Sequence, residues 1–129
     1  MTLTNRTALV TGATNGIGKA IALRLAVESA FVLVHGRDRD RAETVVTRIR
    51  DAGGTAQAVI ADLGAGPDAV RALAAEASAV RGGIDILVNN AAALIPGQSM
   101  LEVTDEQLAA ALTVNVAAPI VLTASLVPG

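Results

Sequence analysis

Between a short apolar run, Thr7 to Val10, and a stretch of helical apolar spacing, Ile17 to Val27, the chain carries Thr11-Gly12-Ala13-Thr14-Asn15-Gly16-Ile17-Gly18. Few folds place a glycine-rich turn directly between a strand and a helix. Glycine adopts backbone angles denied to other residues, and its missing side chain lets a pyrophosphate approach the main chain and the helix amino terminus. The same letters elsewhere would make an ordinary tight turn; their place between strand and helix gives them an anion-binding reading.

The rest of the chain repeats the alternation. Phe31 to His35 reads as a second strand, and Arg37 to Arg50 as a helix whose Ala42, Val45, Val46 and Ile49 mark one face, stopped by Gly53 and Gly54. Ala56 to Ala61 is a third strand. Pro67 suits the first position of a helix reaching to Arg81, before Gly82 and Gly83. Ile84 to Val88 makes a fourth strand, Ala91 to Met100 is a loop with Pro96 and Gly97, and Thr104 with Gln107 forms a capping box for the last helix. The pattern predicts an α/β, Rossmann-like doubly wound parallel sheet of four strands with flanking helices. Its ligand crevice lies at the carboxyl ends of the strands. Residues 1–129 read as one domain, without solenoid repeats, linkers or low-complexity tracts.

Composition narrows the function classes. A formal net charge of -2 with interspersed signs offers no positive field for a phosphate backbone, so nucleic acid is not an expected partner. With no cysteine, thiolate metal sites, disulfides and a Cys nucleophile are excluded, and no metal site is expected. Met1 to Arg6 lack the apolar core of a signal peptide, so nothing suggests export, and the cytoplasm stands as the default compartment. Leu108 to Val127 carries no charge and is long enough to span a bilayer. Asn115 and Pro119 at its middle, and the lack of flanking Lys, Arg, Trp or Tyr, argue against insertion. A helix buried on both sides is expected instead.

Thr11-Gly-x-x-x-Gly16-x-Gly18 after the first strand resembles the fingerprint of the short-chain dehydrogenase/reductase family. Asp62 and Leu63, after the third strand, resemble the family's Asp that hydrogen-bonds the adenine amino group. Asn89-Asn90-Ala91 is similar to its Asn-Asn-Ala-Gly motif, with Ala92 where glycine is usual, and Asn115 resembles the Asn of the catalytic tetrad, which helps hold a water in a proton relay. The resemblance runs in order over essentially the whole chain. It implies an NAD(P)-binding domain with Thr11, Gly12, Thr14, Asn15, Gly16, Ile17, Gly18, Asp62, Leu63, Asn89 and Ala91 lining the cofactor. From the residues alone, Asp62 reads equally as a helix cap, Asn89 and Asn90 as a turn, and Asn115 as a satisfied polar group. The single His35 reads as a strand-end residue near the cofactor rather than a catalytic base and is given no role, and Asp85 resembles a family position that steadies the sheet.

Cofactor preference is read at the end of the second strand, where a carboxylate would bind the ribose 2'-hydroxyl and a cation a 2'-phosphate. The resemblance aligns Gly36 with the Asp of NAD-preferring members and Arg37 with the basic residue of NADP-preferring ones. NADP is favoured, with NAD kept open because Asp38 adjoins and Arg37 could instead cap a helix start.

The family draws its proton donor from Tyr-x-x-x-Lys, but the chain has no Tyr, and its single Lys, Lys19, lies beside the phosphate turn. The expectation is therefore a family portion truncated before the catalytic Ser and Tyr-x-x-x-Lys, keeping Asn115 of the tetrad and inactive on its own. Two functions follow: the cofactor-binding portion of an oxidoreductase interconverting a small carbonyl and alcohol, or a non-catalytic dinucleotide-binding module. A scaffold that no longer binds nucleotide is disfavoured by the intact glycine turn. In the order the resemblance implies, a fifth strand would flank the fourth, so the sheet is incomplete and that edge unpaired; the chain is expected either to self-associate into a homo-oligomer through this edge and the uncharged last helix or to be unstable.

Overall fold

The computed structural model describes residues 2–94 and 99–128. Strands β1 (Thr7–Val10), β2 (Phe31–Gly36), β3 (Thr55–Ile60) and β4 (Ile86–Val88) alternate with helices α1 (Gly16–Val27), α2 (Arg39–Asp51) and α3 (Pro67–Arg81). After β4 come α4 (Asp105–Leu112) and α5 (Ala118–Leu126), joined by a π-helical turn at Thr113–Ala117. All pairings are parallel and the strand order is β3-β2-β1-β4. The chain winds outward from β1 to β3, then crosses back to set β4 on the other side of β1. That reversal opens a crevice above the carboxyl ends of β1 and β4, where doubly wound sheets bind ligands.

Alternate strand residues feed two cores, because successive side chains of a strand point to opposite faces. On one face Ala8, Val10, Val32, Val34, Ala56 and Ala58 pack against Ala22 and Ala26 of α1 and Ala42, Val45, Val46 and Ile49 of α2. On the other, Leu9, Leu33 and Val59 meet Val70, Leu73, Ala74 and Ala77 of α3 and Ala118 and Leu122 of α5. The helix ends follow local chemistry. Asp38 caps α2 by accepting from the Arg41 amide, Pro67 opens α3, left-handed Gly82 ends it, and Thr104 and Gln107 form the reciprocal capping box of α4.

Asp85 steadies the sheet as expected: its carboxylate accepts from the Thr7 amide at 2.8 Å, and its own amide donates to the Thr7 carbonyl at 2.8 Å. These bonds tie the entry of β4 to β1 just ahead of the regular ladder, which pairs Ile86 to Val88 with Ala8 to Val10, so the strand covers three residues rather than the five of Ile84 to Val88. The second helix begins at Arg39, two residues later than the sequence pattern suggests, because β2 runs through Gly36 and Asp38 serves as the cap. The third strand begins and ends one residue earlier than expected.

The last helix corrects the sequence expectation of burial on both sides. Only Ala118 and Leu122 of α5 are buried, while Leu108, Leu112, Val116 and Ile120 are exposed. The physical reason is that α3 is its main neighbour and one helix can cover only one side. The continuous helical run Asp105–Leu126 has the length and composition that could cross a membrane, and here its α5 part packs against α3. Of the loop Ala91 to Met100, Pro96 and Gly97 lie outside the described residues.

Leu33 sits fully buried on a central strand between β1 and β3. Leu33→Ala is expected to lower the unfolding free energy by about 2–5 kcal/mol in urea titration. A loss below about 1 kcal/mol would mean that this face is not a packed core.

Candidate functional site

The crevice is built by stitching three strand ends together. Thr11, buried just past β1, accepts through its hydroxyl oxygen from the amides of Asn90 and Ala91, both at 3.0 Å, and donates to the Val88 carbonyl at 3.4 Å. The Asn90 side-chain amide returns two bonds, to the carbonyls of Thr11 at 3.2 Å and Gly12 at 3.1 Å. On the opposite side the Gly12 amide donates to Nδ1 of His35 at 3.1 Å, and the Ala13 amide to the His35 carbonyl at 2.8 Å. His35 Nε2 in turn faces the Ala61 carbonyl at 3.0 Å. An amide donor on Nδ1 and a carbonyl acceptor at Nε2 define the neutral ring with its proton on Nε2. Burial holds the pKa of His35 below the ordinary histidine value; the bond to Ala61 opposes this, and the positive charge of Arg37 adds to it.

This bracing shapes the glycine turn. Gly12 and Gly16 have left-handed backbones at φ 61° and 55°. A methyl group on Gly18 would collide with the Gly12 carbonyl and the Asn90 amide, so helix α1 can approach β4 only with glycine there. Asn15 precedes α1 in extended conformation and its side chain makes no cap. The first backbone bond into the helix is from Lys19 to the Asn15 carbonyl, which leaves the amides of Gly16, Ile17 and Gly18 without partners among the described residues. No acidic side chain lies in that first turn. Unpaired amides at the positive end of a helix dipole suit an anion.

The other residues singled out from the sequence have the following surroundings. Arg37 is exposed and, among the described residues, makes no hydrogen bond or ion pair. The alternative in which it caps a helix start does not hold, because Asp38 is the cap. A Cβ on Gly36 would lie 2.5 Å from the Thr14 methyl, so Thr14 roofs the strand end where a carboxylate-bearing residue would otherwise begin. Asp62 spends Oδ1 on the Gly64 amide at 2.9 Å, which realises its capping reading, and the residue is solvent-exposed. Leu63 turns its side chain into the core. Asn89 is exposed and donates to the Thr123 hydroxyl at 3.2 Å, and Ala91 packs beside Gly12. Ala92 has no left-handed backbone, so the absent glycine introduces no strain.

Asn115 lies in the π-helical turn and clamps the loop after β4: its Oδ1 accepts from the Ala93 amide at 2.7 Å and its Nδ2 donates to the Ala93 carbonyl at 2.8 Å. Pro119, four residues on, has no N–H for the Asn115 carbonyl, and its ring crowds that carbonyl. The helix widens here, and the Ala118 amide bonds to Thr113 five residues back. Sequence reasoning missed two members of the site. Asn90 was noted as part of a motif without a task, and His35 was set aside; the signal for His35 was a polar ring at the end of an otherwise apolar strand, where a buried group needs partners. Two open recesses lie elsewhere: one of about 210 Å³ between α1 and α2, lined by Leu23, Val27, Arg48 and Ile49 among others, and one of about 380 Å³ at the entry of β4, lined by Asn5, Arg81 and Asp85 among others.

Fold and site together define a Rossmann-type domain with a glycine turn whose first helical amides are unpaired among the described residues. The family model for short chain dehydrogenases matches residues 6–129, and the chain belongs to that family. It is 40% identical over 126 residues to dehydrogenase/reductase SDR family member 4 of Homo sapiens, a match covering 98% of this chain and 45% of that protein. Among solved structures, a metagenomic short-chain oxidoreductase in complex with NADP superposes with a TM-score of 0.92 at 35% identity, covering 98% of this chain and 57% of that one. The 3-oxoacyl (acyl-carrier-protein) reductase of Agrobacterium tumefaciens C58 with NADP bound superposes at 0.91 with 40% identity, covering 98% and 48%. The chain thus spans about half the length of the relatives it matches.

Thr11→Val removes the acceptor of two amides while keeping the shape of the side chain. It is expected to cost about 1–3 kcal/mol of stability, and Thr11→Ser to retain most of it, by chemical denaturation. Equal stability of the two variants would contradict the stitching role.

Proposed function

We propose that residues 1–129 form the NAD(P)-binding domain of an oxidoreductase that interconverts a small carbonyl and an alcohol and prefers NADP. The observation that carries this reading is the set of unpaired amides at Gly16, Ile17 and Gly18, facing the crevice with no acidic residue beside them. These amides, with Gly12, Thr14 and Asn15 around them, would take the pyrophosphate. The second oxygen of Asp62 and the main chain of Leu63 would meet the adenine, and Asn89 and Ala91 the nicotinamide-side ribose. Asn115 would order a water through the loop that it clamps. A bound nicotinamide dinucleotide supplies or accepts the hydride, while these residues bind and orient it.

Preference for NADP rests on Arg37, which has no competing partner among the described residues, and on Gly36, which brings no carboxylate. It is supported by the NADP held in the metagenomic and Agrobacterium relatives. A guanidinium suits a phosphate through paired, charge-assisted bonds. A second reading, a dinucleotide-binding module without catalysis, is favoured for these residues taken alone by the absence of any Tyr and by the position of the single Lys, Lys19, in α1. Cytoplasmic residence and a homo-oligomer are part of the proposal. A second copy would cover the exposed apolar face of α4 and α5, and sedimentation is expected to give a mass above the monomer; a monodisperse monomer would contradict it.

Calorimetric titration is expected to detect binding of both nucleotides, NADPH the more tightly, with no turnover on a carbonyl panel. Arg37→Ala should weaken NADPH about ten- to a hundredfold and leave NADH nearly unchanged, the loss of a bond to a charged group being about 1.5–3 kcal/mol. A folded chain that binds neither nucleotide would overturn the proposal, and equal losses for both would remove Arg37 from the 2'-phosphate.

A further inference from the structure

His35 is the single histidine of the chain, is 2% exposed, and contributes no atom to the dinucleotide contacts proposed above. Its two ring nitrogens nevertheless hold the main chain of two loops that border the crevice, the glycine turn at Gly12 and the exit of β3 at Ala61. We propose that His35 is a positioning residue of the dinucleotide site: its neutral ring fixes the glycine turn against the β3 exit, and dinucleotide binding is lost when the ring takes a second proton. The inference rests on the dinucleotide reading and adds to it a residue that acts through Gly12 and Ala61.

The geometry permits one protonation state. Nδ1 must accept from the Gly12 amide, and Nε2 must donate to the Ala61 carbonyl. A proton on Nδ1 would set two donors against each other across 3.1 Å. Turning the ring over would present carbon to the Gly12 amide, which is no better. Gly12 cannot shift freely in response, since its carbonyl is held by Asn90 and its Cα side lies against Ala91. Protonation must therefore displace the turn whose amides face the ligand.

The surroundings reinforce the neutral form. β1 and the turn Thr11–Gly18 contain no charged side chain. The charged groups nearest in sequence on the neighbouring segments are Arg37 beyond β2, Asp62 beyond β3 and Lys19 in α1; Arg37 and burial both act against a cationic ring. Because the folded pKa lies below the ordinary 6.5, an unfolded chain takes up this proton first as pH falls. Stability is thus fully present above 6.5 and falls as pH drops from 6.5 toward the folded pKa. Dinucleotide affinity, needing the neutral ring, falls below the folded pKa and approaches tenfold per pH unit, about one proton per binding event.

The test uses the whole chain labelled with 15N-histidine and 15N-glycine. Two-bond proton–nitrogen spectra are expected to show the Nε2–H tautomer at neutral pH and a ring midpoint below 6.5, with the Gly12 amide moving at that same midpoint. NADPH and NADH are then titrated from about pH 5 to 8, NADH serving to remove the titration of the 2'-phosphate. Both affinities should fall with the ring midpoint. His35→Asn, which keeps an acceptor for Gly12 but does not titrate, should bind within a few-fold of wild type at neutral pH and lose this acid dependence. His35→Leu should weaken both nucleotides at least tenfold. A ring that titrates at 6.5 or above with an unmoved Gly12 amide overturns the proposal, as does wild-type affinity in folded His35→Leu. Should wild type bind neither nucleotide at any pH, the dinucleotide reading fails and the positioning role with it, while the spectra still decide the bonding of the ring.

Discussion

The buried hydroxyl of Thr11 organises the site. It receives two amides from the segment after β4 and donates to the last carbonyl of that strand, so the carboxyl ends of β1 and β4 are fixed where the winding of the sheet reverses. Without such a tie two diverging strand ends would leave their backbone groups to solvent, and the crevice would have no fixed width. Asn90 and His35 extend the same logic to either side. One holds the carbonyls of the turn and the other its amide, which leaves the amides of the first helical turn as the groups free to meet a ligand.

That arrangement needs close approach between helix and sheet, which explains the composition. Gly18, Ala22 and Ala26 form the buried side of α1, so the helix can lie near β1 and β4 and aim its amino terminus into the crevice. On the opposite face larger leucines and valines fill the space beneath α3 and α5. The single Phe31 is placed at the sheet's rim, its ring beneath the Arg81 guanidinium at 4.8 Å, rather than inside the small-residue layer.

Much of this architecture was legible in the sequence because it is local. The glycine turn between strand and helix, Pro67 at the start of α3 and the reciprocal pair Thr104 and Gln107 each state their conformation through neighbours in the chain. What sequence reading missed depends on distant partners. Asn90 and His35 acquire their tasks from residues 78 and 23 positions away in the chain. The late start of β4 at Ile86 and the exposed side of α4 and α5 likewise follow from what lies across the fold. The π-helical turn had a local signal in Pro119 opposite the Asn115 carbonyl, and its reading required following a missing donor four residues back.

The central claim is that a braced glycine turn presents the amides of Gly16, Ile17 and Gly18 to a pyrophosphate. It is tested most directly by titrating the 15N-labelled chain with ADP-ribose, which carries the pyrophosphate but no nicotinamide. The amides of Gly12 and Gly16 to Gly18 are expected to undergo the largest shifts, with α2 and the distal ends of α1 and α3 unmoved. Saturable shifts centred elsewhere, or none in a folded sample, would contradict it.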